Sequence, residues 1–318
     1  MRHLPSKAFN LIKSQKALVV LALLFVAMCF ASPYFLTASN LINILVQCSI
    51  NGIMAFGMTF AIIGGEFDLS IGSTMALCGL VSVMLQPYLS IPMVLLLVVA
   101  VGGVVGLLNG FLIAHQKANA FIITIASGVL VKGIALTISD GSPVIGSNAA
   151  YSTIANGTIL GIPHAVTLFF LLLIVAQWVL TRTAFGRNLY AVGGDATVAA
   201  YAGIKVRFYK WSIFVITAVT AALGGILLSS KLNTGSPIHG DSVPLTVISS
   251  VVIGGTALSG GEGSALRTVV GLLIFSVLDS ALNLLNIYPY YQLGLKGLLV
   301  IVIVGFDCYA RNRKKAVA

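Results

Sequence analysis

The chain is 318 residues long, 58% hydrophobic and only 8% charged, with a net charge of +10 and a mean hydropathy of +1.04. So little charge excludes a soluble globular domain, and eight acids leave scant material for acid–base catalysis. The apolar runs approach the roughly twenty residues that cross a bilayer as a helix, and they lack the alternating polarity of a transmembrane β-barrel. The composition predicts an all-α polytopic membrane protein.

Residues 1–16 are a basic tail ahead of the first apolar run, at roughly 17–36. A-S-P at 31–33 resembles a secretory cleavage site, and V-A-M-C ending at Cys29 faintly resembles a lipoprotein box. Met28 before the cysteine argues against the second, and the run is expected to stay uncleaved. Breaks at Pro, Gly, Asn and charged residues place nine more spans at roughly 42–63, 69–87, 92–114, 119–138, 165–181, 211–229, 244–259, 268–286 and 293–309. One transmembrane domain thus fills 17–309, and a second basic tail follows at 310–318. A tilted or re-entrant segment is expected near Gly64–Gly72.

Basic residues orient the ten spans. With the N-terminus inside, segments 1–16, 115–118, 182–210, 260–267 and 310–318 hold fifteen of the eighteen Lys and Arg residues. The opposite side receives Lys231 alone, although the loop 139–164 lies there. Both termini are therefore expected in the cytoplasm. The net charge reads as a fringe against anionic lipid, with no nucleic acid as partner.

Two glycine-rich turns close cytoplasmic ends of spans, I-I-G-G-E-F-D-L-S-I-G-S (62–73) and V-I-G-G-T-A-L-S-G-G-E-G-S (252–264). Gly64, Gly65, Gly72, Gly254, Gly255, Gly260 and Gly261 are expected to serve close packing or hinging. Asp68 and Ser70 are expected to cap the third span.

The segment 182–210 is polar and carries five basic residues, Arg182, Arg187, Lys205, Arg207 and Lys210. Within it Asp195 is a good N-cap, Ala196–Ala202 is Ala-rich, and Gly203 is a natural residue just past a helix end. A helix of about two turns is unstable alone in water, so a partner protein is expected to hold it in a groove.

Polar residues inside spans are costly and point to function, hydrogen bonding or both. Asn109, Gln177, Asp279 and Asn283 are such residues, and Asn109, Asp279 and Asn283 are candidates to line a pathway. Asp279 could pair with Lys132 or carry a proton. The four cysteines and four histidines are scattered, which predicts no metal site. No phosphate-binding G-x-x-x-x-G-K-[ST], no G-x-S-x-G and no H-E-x-x-H occurs, so neither enzyme activity nor a cofactor is expected.

Four stretches carry a likeness: 57–73 (G-M-T-F-A-I-I-G-G-E-F-D-L-S-I-G-S), 186–206 (G-R-N-L-Y-A-V-G-G-D-A-T-V-A-A-Y-A-G-I-K-V), 251–263 (V-V-I-G-G-T-A-L-S-G-G-E-G) and 282–297 (L-N-L-L-N-I-Y-P-Y-Y-Q-L-G-L-K-G). With these, the chain resembles the permease subunits of bacterial ATP-binding cassette (ABC) importers for sugars, of the ribose/xylose/autoinducer-2 type. It departs at 241–250, which is less acidic and contains Pro244, at Arg267, and at Asp279-Ser280-Ala281.

The resemblance implies a ten-helix fold of the vitamin B12-importer kind in the bacterial inner membrane. It also implies a second permease subunit, a separate ATP-binding cassette subunit that holds the ATP, and a periplasmic or lipid-anchored sugar-binding protein. Coupling to the cassette would run through Gly186, Asn188, Ala191, Gly193, Gly194, Asp195, Ala199, Ala200, Gly203 and Ile204. The rival readings are an ABC permease for a nucleoside, polyol or branched-chain amino acid, and an ion-coupled secondary transporter using Asp279 with Lys132.

Overall fold

The computed structural model describes residues 16–315, so the expected N-terminal tail lies outside the described residues up to position 15, as do residues 316–318. The helices are α1 (Lys16–Ala31), α2 (Ala38–Ile63), α3 (Ile71–Leu85), α4 (Ile91–Ala114), α5 (Ala120–Ile138), α6 (Ala149–Asn156) and α7 (His164–Arg182). They continue as α8 (Ala184–Gly194), α9 (Ala196–Tyr201), α10 (Val206–Leu232), α11 (Val243–Ile253), α12 (Ala265–Leu284) and α13 (Pro289–Lys315). Two two-residue ladders complete the fold: β1 (Val144–Ile145) pairs antiparallel with β4 (Thr234–Gly235), and β2 (Thr158–Ile159) pairs with β3 (Ile162–Pro163).

A helix stands at each expected span, and six of them (α2, α4, α5, α7, α10 and α12) are long and apolar enough to cross a membrane. The fold is all-α and polytopic. Local chemistry sets several of the starts. Thr37 caps α2 by accepting from the Asn40 amide, Asn119 caps α5 by accepting from Ile122, and Pro92 occupies the first turn of α4.

The long helix α10 is the central post, with α2, α3 and α4 packed on it. Small residues allow the approach of α4. A Cβ on Gly102 would stand 2.8 Å from the Ala222 methyl, one on Gly106 2.5 Å from the Phe214 carbonyl, and one on Gly110 2.9 Å from Trp211. This G-x-x-x-G-x-x-x-G face brings two backbones together where apolar burial cannot drive helices into contact. Around α2 lies the main core, with Ile53, Met54, Met58, Phe169, Val247, Val251 and Leu272. Leu108, Val129 and Ile174 point outward from α4, α5 and α7, as side chains solvated by lipid tails do.

Three expectations change. The span expected at 244–259 holds only the eleven residues of α11, about 16 Å of helix, against a hydrocarbon core of about 30 Å. Gly254 and Gly255 end the helix, and Pro244 sits in its first turn, where proline is compatible with a helix start.

The chain leading into α11 runs beside α3. Gly235 lies against Gly79 and Leu80 of α3, and Gly240 lies against Gly72, so segment 235–240 follows α3 for about seven residues, or about 10 Å. Residues 233–253 thus form a non-helical half, the two strand residues of β4 and a run of turns over 237–242, followed by a helical half.

The second change is the expected pairing of Asp279 with Lys132. Lys132 pairs with Asp241 at 2.7 Å, in the turn just before α11, and Asp279 pairs with Lys296 of α13 at 2.7 Å. Third, the loop 139–164 contains α6 and the β2–β3 hairpin, anchored by the fully buried Tyr151 and its hydroxyl contacts to Ser82 (2.5 Å) and Ser229 (2.7 Å).

Candidate coupling junction

The segment after α7 turns a sharp corner into α8. Thr183 caps α8 by accepting the Gly186 amide at 3.2 Å, and a Cβ on Gly186 would stand 2.3 Å from the Leu180 carbonyl. Only glycine fits there. Leu189 and Val192 of α8 are buried, while Ala191 faces out. Asn188 donates to the Tyr209 hydroxyl at 2.7 Å and ties α8 to α10. Tyr190 donates to the Gly263 carbonyl at 2.8 Å. Burial pushes the Tyr190 phenol up from its ordinary range, with the Arg267 charge pulling the other way.

Asp195 follows as an N-cap whose carboxylate accepts from Thr197 (2.8 Å) and Val198 (3.0 Å), so the short helix α9 begins where the sequence placed it. At its end Gly203 has φ +81° and its amide bonds the Ala200 carbonyl at 3.0 Å, while the Ile204 amide bonds Ala199 at 3.0 Å. That pair of bonds is the Schellman closure, which needs a left-handed residue and takes glycine readily. Val198 (62%) and Tyr201 (88%) are exposed, together with Ala200, whereas Ala199 (3%) is buried inside the chain.

The two glycine turns meet this segment directly. A Cβ on Gly193 would fall 1.7 Å from the Ile63 carbonyl at the end of α2 and 2.8 Å from the Gly261 amide. Gly260 (φ +81°) touches the Gly193 carbonyl and the Gly65 Cα, and Gly261 (φ +76°) touches Gly194. A hydrogen bond of 2.8 Å runs from the Gly261 amide to the Ile63 carbonyl. Backbone thus packs on backbone from three chain segments, 63–65, 193–194 and 260–261. The Lys210–Glu66 ion pair, at 2.5 Å, closes its edge.

Gly64 lies beside this contact, against Ile213 and Leu189. Gly254 sits farther along the same turn, against the Arg267 carbonyl, and Gly255 beside it has φ +96°. Gly72 belongs elsewhere, against Gly240 in the turns before α11.

Asp68 and Ser70 do more than end a turn. Neither is a side-chain cap of α3, since Ser70 makes no such bond. Asp68 accepts from the Ser70 amide (2.9 Å) and hydroxyl (2.5 Å) and from Thr217 of α10 (2.5 Å), and Asn109 of α4 donates to Ser70 at 3.0 Å. Burial pushes the Asp68 carboxyl up, and the bonds from Ser70 and Thr217 pull it down. The network fastens the 64–70 turn to α4 and α10.

The polar residues expected in spans therefore separate. Asn109 is buried in the Asp68 network. Gln177 accepts from Ser264 and the Leu266 amide, each at 3.2 Å, and so satisfies the start of α12 from α7. Asn283 accepts from Gln292 at 3.0 Å near the end of α12 and is exposed. Asp279 alone borders a cavity, of about 130 Å³, with Lys296. Sequence reasoning missed the other polar residues there, His239, Ser242, Thr246 and, on α2, Gln47 and Asn51, although the i, i+4 spacing of the last two was readable.

Among the described residues no group of His, Cys, Asp and Glu could hold a metal. No solved structure matches the chain.

Curated relatives match at nearly full length. The ribose import permease protein of Haemophilus influenzae is 37% identical over 309 residues, covering 94% of each chain. That of Bacillus subtilis is 38% identical, covering 90% of each. The L-arabinose transport system permease protein of Escherichia coli is 37% identical, covering 94% of this chain and 92% of its own. A family model described as the permease component of the branched-chain amino acid transport system matches residues 40–304. With the matched region spanning most of the length, the chain belongs to that permease family.

Proposed function

We propose that this chain is the membrane-embedded permease subunit of an ABC importer that moves a sugar across the bacterial inner membrane. The observation that carries the reading is near-full-length identity of 35–38% to permeases named for ribose, L-arabinose and D-allose. It is a multi-pass protein of that membrane with ten crossings and both termini in the cytoplasm. The crossing at 233–253 is made in two halves.

ATP is bound by a separate cassette subunit. The exposed face of α9, with Val198, Ala200 and Tyr201, is where that cassette docks, and the glycine junction passes its motion to α2 and the 254–264 turn. A binding protein delivers sugar on the other side, and a second permease completes the pathway. Transport follows from differential binding to two conformations, with no chemistry in this subunit.

The test is reconstitution of the chain with its cassette and binding protein in vesicles. ATP-dependent uptake of D-ribose, L-arabinose or D-allose is expected, persisting when the proton gradient is collapsed. The permease alone is expected neither to bind nor to hydrolyse ATP. The family description favours one second reading, a branched-chain amino acid as cargo. Uptake of leucine with none of the sugars would establish it.

A further inference from the structure

Along α2 the residues Asn43, Gln47 and Asn51 recur at i, i+4 and i+8, one face of the helix, whereas its other polar side chains Asn40, Ser49 and Thr59 bond backbone carbonyls. Asn43 and Gln47 are exposed and Asn51 is half-buried. Among the described residues none of the three side chains has a hydrogen-bond partner. Three uncommitted amides on a face bathed in lipid tails would each carry the full cost of an unsatisfied polar group, so this face meets water or a polar solute.

The opposite wall of the cavity is built from the turns that precede α11 and from its first turn, with His239, Ser242, Val243 and Thr246. Irregular backbone at membrane depth survives only where it is buried in protein or lines a wet cavity. Segment 235–240 leads through Asp241 and Ser242 into the first turn of α11, whose Thr246 joins Ser242, Gln47 and Asn51 in lining the space. The Asp279–Lys296 ion pair, between α12 and α13, closes one side. Non-helical backbone leading into a short helix, facing a polar helix stripe, is how membrane carriers build a solute site.

We infer that this cavity is a transit subsite for a neutral polyhydroxyl solute, in which Gln47, Asn51 and Ser242 exchange hydrogen bonds with its hydroxyls. The inference rests on the permease reading above and adds the residues that contact the cargo. Amides and hydroxyls both donate and accept, so they suit a ring bearing hydroxyls in several orientations. The ion pair holds an acceptor and a donor side by side while contributing no net charge, which suits an uncharged cargo. At about 130 Å³ the cavity holds roughly four waters, the scale of one small ring and not of a chain of them.

The test uses the full importer in vesicles, with D-ribose and L-arabinose as radiolabelled probes. Gln47→Leu, Asn51→Leu and Ser242→Ala should each lower initial uptake by about three- to tenfold, the worth of one neutral hydrogen bond. Asn51→Leu should also change the ratio of ribose to arabinose uptake, which a purely structural residue would not do. ATPase stimulation by the loaded binding protein should stay within about twofold, because the cassettes and delivery are untouched. Uptake rates and ratios unchanged in all three variants would overturn the assignment. So would loss of the assembled complex on gel filtration, which would make the stripe a subunit contact. If the unmodified importer carries leucine and no sugar, the permease reading for sugars fails instead, and the two failures are distinguishable.

Discussion

Gly193 and Gly194 are neighbours with opposite tolerances. A methyl on Gly193 would drive into the Ile63 carbonyl, a backbone atom that cannot swing away, whereas Gly194 has open space at the same point. Gly193→Ala is therefore expected to destabilise the folded protein by about 3 kcal/mol, the upper end for overpacking, and to abolish transport. Gly194→Ala should leave both nearly unchanged. Thermal unfolding in detergent, with uptake measured alongside, decides between them, and equal melting of the two variants would refute the packing argument. Asp195 permits a gentler experiment. Removing its cap in Asp195→Ala should cost about 1 kcal/mol of local helix stability, while Asp195→Asn should retain most of it. Because Asp195 is exposed, both variants should reach the membrane at normal levels and differ in cassette-coupled ATPase activity.

At the scale of elements, α9 was legible because its signals are local: an Asp that receives two amides at the start and a glycine at positive φ at the end. Its neighbour α8 was not legible. A-F-G-R-N-L-Y-A-V-G-G carries three glycines and reads as turn, and the helix is held by the burial of Leu189 and Val192 and by backbone contacts far away in sequence.

The same distinction applies to the chain before α11, where Gly235 and Gly240 lie against α3. No window of the sequence reports that contact. The amide stripe on α2 was present in the letters, but counting apolar residues treats each Asn or Gln as a mere interruption. The burial of Ala199 also sharpens a test of docking. Ala199→Trp would disrupt the chain's own packing, so it says nothing about a partner. Ala200→Trp and Tyr201→Asp change only the exposed face. Each is expected to reduce co-purification of the cassette at least tenfold with membrane levels unchanged, and undiminished co-purification would show that α9 is not the contact.

For the whole molecule, the strongest sequence argument was the distribution of Lys and Arg, and it makes a direct prediction. Thr158 on the β2–β3 hairpin and Arg187 on α8 are both exposed, at opposite ends of the spanning helix α7. In intact cells Thr158→Cys should react with an impermeant thiol reagent and Arg187→Cys should react only after lysis. Among the described side chains Cys48 and Cys78 are buried and Cys29 is half-buried, and with Cys308 replaced by Ser the background is low. The reverse labelling would invert the protein and remove the docking face from the cytoplasm. Helix positions were readable because an apolar run must satisfy its own backbone in lipid, and that constraint leaves few alternatives.

The glycine contact of 63–65, 193–194 and 260–261 has a mechanical meaning. Side chains that meet across an interface can absorb a small displacement by changing rotamer, at a cost of order 1 kcal/mol or less. Main-chain atoms in direct contact have no such play. Pressure on α9 would then reach the end of α2 and the 254–264 turn without backlash, as in a rigid linkage whose pins have no clearance. The same tightness removes adjustability. A larger residue at Gly193, Gly260 or Gly261 could not be rescued by trimming a neighbouring side chain, because each meets main-chain atoms with no side chain to trim.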